Sequence, residues 1–406
     1  MFVKIWVEID EERLAGNFAA LQRVVAGGSG ETASETALLA VVKANAYGHG
    51  IGACAPVLAR AGAEWLGVTD AEEGAAVRAA LAAAGIARAR QPRILVMSGM
   101  MGLASEAELV VAEGLTAVVW DEGHLQLLAA AARRVGAAER VPVHLEIDTG
   151  MARQGVACGA GLERVLAGFA ARPELRLDGV FTHFASTEVA HAAQTHEQQR
   201  RFEGAMAQVR AARAGTPEWV HVGNSSYIDN GAEPGAVAWV RGLAAEMRAR
   251  SMVRAGLGLY GYLLPIEGAS GDDALVRLQV RPVMAWKTRV IGLREVEAGA
   301  TVGYNGTFVA ERGMRLALLP VGYADGMRRE LSGSNARAGG WVMVRGQRAV
   351  IVGRVSMNLT VVDVSAIGGV AVGDEVVLLG DGVTAEEHAL LAGTIAYEIV
   401  CGVRVG

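Results

Sequence analysis

The sequence is poor in cysteine and in aromatic residues. Its three cysteines, Cys54, Cys158 and Cys401, are odd in number and far apart, and no two of them form a C-x-x-C pair. This excludes a disulfide framework and a zinc knuckle built from cysteines. Only 5% of the 406 residues are aromatic, but 52% are hydrophobic and 20% are charged. That composition is typical of an ordinary globular protein without a disordered or fibrous bias.

The chain also lacks a strong excess of charge and a long apolar stretch. Lys plus Arg number 38 against 43 for Asp plus Glu, a formal charge of -5, which argues against nucleic acid as a main partner. Charges or glycine interrupt each apolar run well before the roughly 20 residues that a membrane helix needs. The opening run MFVKIWVEID has one lysine and no apolar signal-peptide core. We therefore expect a cytoplasmic protein that acts on a small molecule, without membrane or nucleic-acid partners.

A short apolar, β-branched run followed by an Ala- and Leu-rich amphipathic run recurs along the first two thirds of the chain. Eight strand-like runs follow an opening helix at residues 10–26, with clear helix patterns after the second, fourth and sixth runs. Eight such units over about 250 residues favour a closed (β/α)8 TIM barrel, with a doubly wound open sheet as the alternative. The eight runs are residues 37–44, 64–70, 92–99, 116–121, 141–148, 177–184, 218–225 and 251–259.

The pattern changes after Pro265. Short strands rich in Val, Leu and Gly predominate there, and runs of helix length largely disappear. We predict an α/β protein with a TIM-barrel domain at residues 1–265 and a mostly β domain at residues 266–406. The segment 265–274, rich in Gly, Ser and Asp, is the expected linker.

Polar residues follow several strands of the predicted barrel, and catalytic groups of such barrels lie at the carboxyl ends of the strands. Lys43 follows the first strand, where a buried lysine can form a covalent bond with a carbonyl compound, although a lysine there can also simply reach out to solvent. His183 and Arg254 have similar ordinary explanations, as a core histidine and a surface cation. Together these residues indicate a site at one mouth of the barrel. Further polar residues near strand ends are Asp148, Thr149, Arg153, Asn224, Ser225 and Ser226.

Residues 255–261, AGLGLYG, contain a G-x-G-x-x-G pattern after a strand. As a Rossmann fingerprint the pattern is weak, because it follows eight βα units and leads into no further one. A barrel phosphate site fits better, with backbone N–H groups after the last two strands and the hydroxyl of Ser225 nearby. A lysine near a phosphate site suggests pyridoxal phosphate.

The histidines of the sixth unit do not predict a metal site. His183, His191 and His196 are separated by eight and five residues, whereas two ligands on one helical face are three or four residues apart. We expect no metal, and we expect His191 and His196 to be solvated.

The run AVVKANAYGHG at residues 40–50 resembles the pyridoxal phosphate attachment motif of bacterial alanine racemases. Eight further runs resemble the family's other motifs in the same order, so the resemblance covers nearly the whole chain. It implies a fold-type III pyridoxal phosphate enzyme that supplies D-alanine for peptidoglycan. It also implies a head-to-tail homodimer whose active sites borrow residues from the partner. The further runs are DTGMARQG (148–155), FTHFAS (181–186), HVGNSS (221–226), VRAGLGLYG (253–261), VGYNGTF (302–308), PVGYADG (320–326), VGRVSMNLTVVDV (352–364) and TIAYEIVCGV (394–403).

The resemblance also implies roles for single residues. Lys43 would carry the cofactor covalently and act as the base on one face of the substrate α-carbon, and the partner subunit's Tyr304 would be the base on the other face. Arg254 would face the pyridine nitrogen, braced by His183. The remaining implied contacts are Tyr47, Ser225, Tyr397 and the backbone of Gly256 and Leu257 at the phosphate, Arg153 beside the phenolic oxygen, and the backbone N–H of the partner subunit's Met357 at the substrate carboxylate.

The sequence departs from the common family pattern at three places. Asn358 stands where an aspartate is usual, Glu146 stands where many members have a lysine, and the chain stops at CGVRVG without a longer last strand. In many relatives that lysine is carbamylated and orients the arginine that matches Arg153. We therefore hypothesise that Glu146 pairs with Arg153 directly, with a bridging water or a solvated glutamate without a role as the alternatives.

Three other functions are compatible with parts of this pattern. A broad-spectrum amino-acid racemase is the main alternative, although proteins resembling that group usually carry an export signal. A basic amino-acid decarboxylase and a pyridoxal phosphate carrier match fewer of the motifs. The side-chain preference beyond alanine, the dimer affinity and the choice between a biosynthetic and a catabolic role stay open.

Overall fold

The structure is a computed structural model that describes residues 4–27, 36–212, 214–233, 235–268 and 273–404. The described chain divides into two compact units. The first unit comprises residues 12–46 and 50–281, and the second comprises residues 47–49 and 282–406 together with the N-terminal segment up to Glu11. Residues 269–272 of the expected linker lie outside the described residues, and the division between the units follows Arg281.

The secondary structure alternates in the first unit and is mostly β in the second. The strands are β1 (Ile5–Ile9), β2 (Ala37–Val41), β3 (Trp65–Val68), β4 (Arg93–Val96), β5 (Thr116–Val119), β6 (Val141–Asp148), β7 (Val156–Ala157), β8 (Leu175–Phe181), β9 (Trp219–Val222), β10 (Arg250–Ala255), β11 (Met284–Arg289), β12 (Gly292–Val296), β13 (Thr301–Val302), β14 (Phe308–Val309), β15 (Met314–Leu319), β16 (Trp341–Val344), β17 (Gln347–Ile351), β18 (Thr360–Asp363) and β19 (Glu375–Leu379). The helices are α1 (Glu11–Ala26), α2 (Lys43–Tyr47), α3 (Ile51–Arg60), α4 (Ala71–Ala83), α5 (Ala104–Ala112), α6 (Glu122–Val135), α7 (Ala160–Ala170), α8 (Ala193–Ala211), α9 (Ser225–Asp229), α10 (Ala236–Glu246), α11 (Ala385–Ala392) and α12 (Ala396–Cys401).

The first unit is a closed barrel of eight parallel strands. Its strands follow the order β5, β4, β3, β2, β10, β9, β8, β6, and pairing of β5 with β6 closes the ring. Strands β2, β3, β5 and β9 are buried along their whole length. Such continuous burial requires the unbroken apolar runs seen in the sequence, because helices cover the outside of the sheet and side chains fill its inside. The predicted TIM barrel is confirmed.

The helices around the barrel begin and end where the sequence provides capping residues. Asp70 and Asp121 precede α4 and α6, and each accepts a hydrogen bond of 2.8 Å from the backbone N–H three residues later. Gly136 ends α6 in the left-handed conformation, with φ of 72°. Because all neighbouring strands of the barrel are parallel, their carboxyl ends lie at one mouth.

The second unit is built on an eight-stranded sheet in the order β1, β11, β19, β16, β17, β18, β15, β12. Strand β1 lies at one edge and pairs antiparallel with β11, so that Ile9 faces Met284. No local sequence pattern predicts this strand, because its partner lies more than 270 residues further along the chain. Residues 396–401, near the C-terminus, form helix α12. Within the described ranges, no helix is both long and apolar enough to span a bilayer.

Candidate functional site

Lys43 lies directly after β2 and begins α2, which is a left-handed turn. The four residues that follow Lys43 have φ between 52° and 56° although none of them is glycine. Left-handed backbone costs roughly 1–2 kcal/mol per residue outside glycine, so it persists only where the surroundings fix it. Asn45 supplies such contacts, because its backbone N–H donates to Glu73 over 3.0 Å and its Oδ1 accepts from the N–H of Ile51 over 2.9 Å. The turn therefore fixes the backbone beside Lys43.

Arg254 lies on β10, and only 2% of it is exposed. Its guanidinium contacts three other polar groups inside the barrel. Its Nη1 lies 2.9 Å from His221 Nδ1, and its Nη2 donates to the carbonyl oxygen of Thr182 over 3.0 Å. The same Nη2 lies 2.9 Å from Nδ1 of His183. Burial lowers the pKa of Arg254 to about 10, so the guanidinium keeps its charge at neutral pH. Since a guanidinium can only donate, both histidines must accept through Nδ1.

The pKa of His183 is well below its usual range. Burial lowers it most, and the positive charges of Arg254, Arg153 and Lys43 lower it further. His183 is therefore neutral at pH 7 and can accept the hydrogen bond from Arg254. These charges act on His183 because the structure brings together residues from the ends of four strands, as the strand-end pattern predicts.

Ser225 forms a cradle with the loop after β10. Ser225 is 2% exposed, and its Oγ accepts hydrogen bonds from the backbone N–H groups of Gly256 over 2.9 Å and Gly258 over 3.1 Å. Among the described residues, no acceptor takes the N–H of Leu257. A Cβ on Gly258 would lie 3.2 Å from Ser225 Oγ, so a side chain there would crowd the hydroxyl. The N–H groups of Gly256 and Gly258 thus hold Ser225 Oγ in place, while the hydroxyl hydrogen of Ser225 and the N–H of Leu257 form a donor pair that fits a phosphate group.

Glu146, on β6, is 2% exposed, and its partner is Gln154. The Nε2 of Gln154 donates to Glu146 Oε2 over 2.5 Å and to the carbonyl oxygen of Met97 over 2.9 Å. No ion pair joins Glu146 to Arg153 in the described part of the chain, so the hypothesis of a direct pair is wrong. The glutamate side chain is short, and Gln154 occupies its carboxylate. Burial raises the pKa of Glu146 to about 7, although the bond from Gln154 and the charges of Arg254 and Arg153 oppose this rise.

Tyr47 and Tyr397 lie side by side in the second unit. Their ring centroids are 5.9 Å apart, with an angle of 48° between the ring planes. Burial raises the pKa of Tyr47, and Tyr397 and Cys401 add to the rise. Tyr47 therefore carries its proton at neutral pH and can donate a hydrogen bond.

Tyr304 and Met357 are both prominent on the surface of the second unit, 69% and 56% exposed. Tyr304 begins a short 3-10 turn after Gly303, which has φ of 75°. Val302, just before this turn, packs in a buried apolar cluster. The backbone N–H of Met357 donates to no acceptor in the described ranges, while its carbonyl oxygen accepts from the N–H of Ala324 over 3.0 Å. Asn358 beside it is also exposed.

His191 and His196 are largely exposed, and both contact the carboxylate of Glu233. The distances from His191 Nδ1 and His196 Nε2 to the Glu233 oxygens are 3.4 and 3.2 Å. The described residues contain no group of three or more side chains that could hold a metal ion.

Two buried histidines, His144 and His221, and the carboxylate of Asp178 were not among the predicted site residues. All three are 0% exposed and lie on barrel strands. The alternation of β6 places His144 on the same face as Glu146, which is the signal that could have identified it. His221 lies 77 residues after His144, and no sequence spacing predicts that the rings of these two histidines are in contact.

Comparison with known proteins places these observations in one family. A model of the N-terminal domain of alanine racemases matches residues 9–264, and a model of the C-terminal domain matches residues 283–405. The alanine racemase of Sorangium cellulosum is 38% identical over 405 residues, which cover 98% of this chain and 96% of that protein.

Two solved structures extend the likeness to the fold. The alanine racemase of Streptomyces coelicolor is 31% identical with a TM-score of 0.81, covering 98% of this chain and 96% of that one. The alanine racemase of Bartonella henselae, solved with covalently bound pyridoxal phosphate, is 25% identical with a TM-score of 0.77, covering 99% and 98%. The chain belongs to the alanine racemase family and is an amino-acid racemase.

Proposed function

We propose that this protein is a pyridoxal phosphate-dependent racemase that interconverts L-alanine and D-alanine with two bases. The observation that carries the proposal is Arg254, a buried cation that contacts His183 and lies on the strand leading into the Ser225 cradle. Lys43 lies at the end of the neighbouring strand, since β2 pairs with β10. A phosphate-type cradle, a cation and an amine thus lie at the carboxyl ends of adjacent strands.

Lys43 is the best candidate for the cofactor lysine because the chain has only two others, Lys4 and Lys287. Lys287 contacts Glu8 over 2.8 Å and Glu375 over 2.9 Å. Hydrogen bonds to these carboxylates raise the pKa of Lys287, so its amine stays protonated and is a poor nucleophile. Lys4 lies 4.0 Å from Asp325, in the second unit.

The residues of the barrel mouth fit pyridoxal phosphate. Ser225 and the backbone of Gly256 and Leu257 would hold its phosphate, with Tyr47 and Tyr397 as further proposed donors. When bound, this cofactor withdraws electrons from the amino acid and so makes the α-proton acidic. Arg254 would donate a hydrogen bond to the pyridine nitrogen without giving up a proton, and Arg153 would lie beside the phenolic oxygen.

Racemisation requires proton removal on one face of the α-carbon and proton delivery on the other. Lys43 would be the group that holds or takes the proton on one face. The partner subunit's Tyr304 would serve the other face, and the backbone N–H of the partner subunit's Met357 would hold the substrate carboxylate. Both residues are exposed in this chain, as residues that act in a partner's site must be before assembly. A head-to-tail homodimer is therefore part of the proposal.

The product D-alanine would serve peptidoglycan synthesis in the cytoplasm. The proposal is tested with the full chain, loaded with pyridoxal phosphate and given a panel of L-amino acids. We expect equal amounts of L- and D-alanine at equilibrium, and a kcat/KM for alanine at least tenfold above that for serine, lysine or arginine. Comparable values across the panel would instead identify the broad-spectrum racemase. No racemisation of any amino acid would contradict the proposal.

A further inference from the structure

A chain of four buried polar groups runs from Arg254 through the inside of the barrel to Asp178. Arg254 Nη1 lies 2.9 Å from His221 Nδ1, and His221 Nε2 lies 2.9 Å from His144 Nδ1. His144 Nε2 lies 3.4 Å from Asp178 Oδ2. All four side chains are at most 2% exposed, so water does not supply alternative partners.

Arg254 and Asp178, the two ends of this hydrogen-bonded chain, determine which ring nitrogen of each histidine carries the proton. Arg254 has only N–H donors, so His221 must accept through a bare Nδ1 and carry its proton on Nε2. His221 then donates to His144, which must have a bare Nδ1 and a proton on Nε2. That proton points to Asp178, which as a carboxylate only accepts. One arrangement therefore satisfies all four groups, and any other leaves a buried donor or acceptor unpaired.

The charge states agree with this arrangement. Burial lowers the pKa of both His144 and His221, so both rings are neutral at pH 7. Burial alone would raise the pKa of Asp178, but contact with His144 and the charges of Arg93 and Arg176 outweigh it and lower that pKa. Asp178 is thus a carboxylate although it is fully buried.

Arg93 and Arg176 hold the outer end of the chain. Arg93 Nη2 contacts Asp178 Oδ2, and Arg176 Nη1 lies 2.6 Å from Asp178 Oδ1. Both arginines are partly exposed, at 32% and 42% of their side chains. The carboxylate is therefore anchored from outside the barrel, while its histidine partner faces inward.

We propose that His144 and Asp178 are positioning residues that act on Arg254 through His221: they keep the Nε2–H of His221 in a hydrogen bond and so fix the orientation of its ring and of the guanidinium. This deepens the proposed function and rests on it, since the guanidinium matters there as the partner of the pyridine ring. With the chain intact, the guanidinium has one low-energy orientation, with Nη1 on His221 and Nη2 on His183 and Thr182. With this hydrogen-bonded chain broken, the Nε2–H of His221 has no buried acceptor, so the ring is no longer held on that side and the guanidinium loses a fixed partner.

Three variants separate this role from a merely structural one. His144→Phe keeps a ring against Trp65, whose centroid is 5.1 Å away, but deletes both hydrogen bonds. His144→Gln keeps one acceptor and one donor in the chain. Arg176→Gln removes an outer partner of Asp178 and leaves the chain itself intact, so it is the matched control.

The first readout is the side-chain 15N spectrum of the histidines in the cofactor-free protein. In the wild type we expect His221 and His144 each to show a protonated Nε2 and a bare Nδ1. A protonated Nδ1 on either ring would overturn the proposal, whatever the variants do. In His144→Phe we expect the 15N resonance of His221 Nε2 to shift, because its proton loses the hydrogen bond to His144, whereas Arg176→Gln should leave that resonance unchanged.

The second readout is the kinetics of alanine racemisation by the loaded enzyme. We expect His144→Phe to lower kcat at least tenfold with KM within threefold of the wild type, and His144→Gln to recover at least half of that loss on a logarithmic scale. A folded His144→Phe protein with the wild-type kcat and an unshifted His221 Nε2 resonance would contradict the proposal. Because the spectrum needs no cofactor, failure of wild-type racemisation would count against the proposed function alone.

Discussion

Gln154 holds the buried carboxylate of Glu146 through a single amide nitrogen, which donates to Glu146 Oε2 over 2.5 Å and to the carbonyl oxygen of Met97 over 2.9 Å. A neutral amide thus occupies the position at which we hypothesised the cation of Arg153. An amide stabilises a carboxylate less than a guanidinium does. Burial of the carboxylate raises the pKa of Glu146 to about 7, because the hydrogen bond from Gln154 and the charges of Arg254 and Arg153 only partly oppose the effect of burial.

This raised pKa predicts a pH-dependent stability. Between the usual value of 4.5 and about 7, the folded state binds more protons at Glu146 than the unfolded state does. The group therefore contributes stability below about pH 4.5, and that contribution is lost as the pH rises through 7. We expect wild-type stability to fall by up to about 3 kcal/mol relative to Glu146→Gln between pH 4.5 and pH 8.

Urea titration of the wild type and of Glu146→Gln at each pH measures this difference. Glu163→Gln is the control, because Glu163 is exposed on α7 and its removal should leave the pH profile unchanged. Parallel profiles for the wild type and Glu146→Gln would show that the buried carboxylate is not the group responsible.

From the contacts of Ser225 we predict that this side chain increases the affinity for pyridoxal phosphate. Ser225→Ala removes a hydroxyl that contacts the N–H groups of Gly256 and Gly258 and that would donate to a phosphate. A hydrogen bond to a charged group contributes about 1.5–3 kcal/mol, so we expect the Kd for pyridoxal phosphate to rise roughly 10- to 100-fold. Fluorescence titration of the cofactor-free protein gives the Kd. Ser226→Ala is the matched control, since Ser226 is equally buried at 2% exposure; the same rise in both variants would rule out a specific cradle.

We predict that each active site combines Lys43 of one subunit with Tyr304 of the partner subunit. Because its side chain is 69% exposed, Tyr304→Phe should change the free energy of unfolding by less than about 0.5 kcal/mol while abolishing racemisation. Lys43→Ala should also be inactive. After subunit exchange at equal concentrations, half of the dimers are hybrids with one intact site, so we expect about one quarter of wild-type activity. Mass spectrometry establishes the exchange, and hybrids without activity would mean that Tyr304 does not serve a partner's site.

The barrel could be predicted because its signals are local. Each strand is a short buried run, each helix has its own amphipathic pattern, and residues such as Asp70 and Gly136 mark helix ends within a few positions. Strand β1 could not be predicted in this way, since its pairing with β11 joins positions about 280 residues apart and leaves no pattern near Ile5. Long-range pairing is chosen by the folded sheet rather than by neighbouring residues.

Several residues of the candidate site could likewise be predicted from local sequence, but their side-chain contacts could not. The strand-end rule identified Lys43, His183 and Arg254 because it depends only on where each strand stops. The rule gives no side-chain contacts, so it could not show that Gln154 would take the place of Arg153 beside Glu146. Contacts of that kind depend on how far each side chain extends and on where the two segments lie in space. The sequence pattern gives neither.

The central claim is that Lys43 carries pyridoxal phosphate, and borohydride reduction tests it most directly. Reduction fixes the cofactor to the lysine that holds it, and peptide mapping then distinguishes Lys43 from Lys4 and Lys287, the other lysines of the chain. We predict that the wild type carries the label on Lys43 alone, and that Lys43→Ala takes up no label and racemises no alanine. A label on Lys4 or Lys287, or wild-type racemisation by Lys43→Ala, would contradict the account.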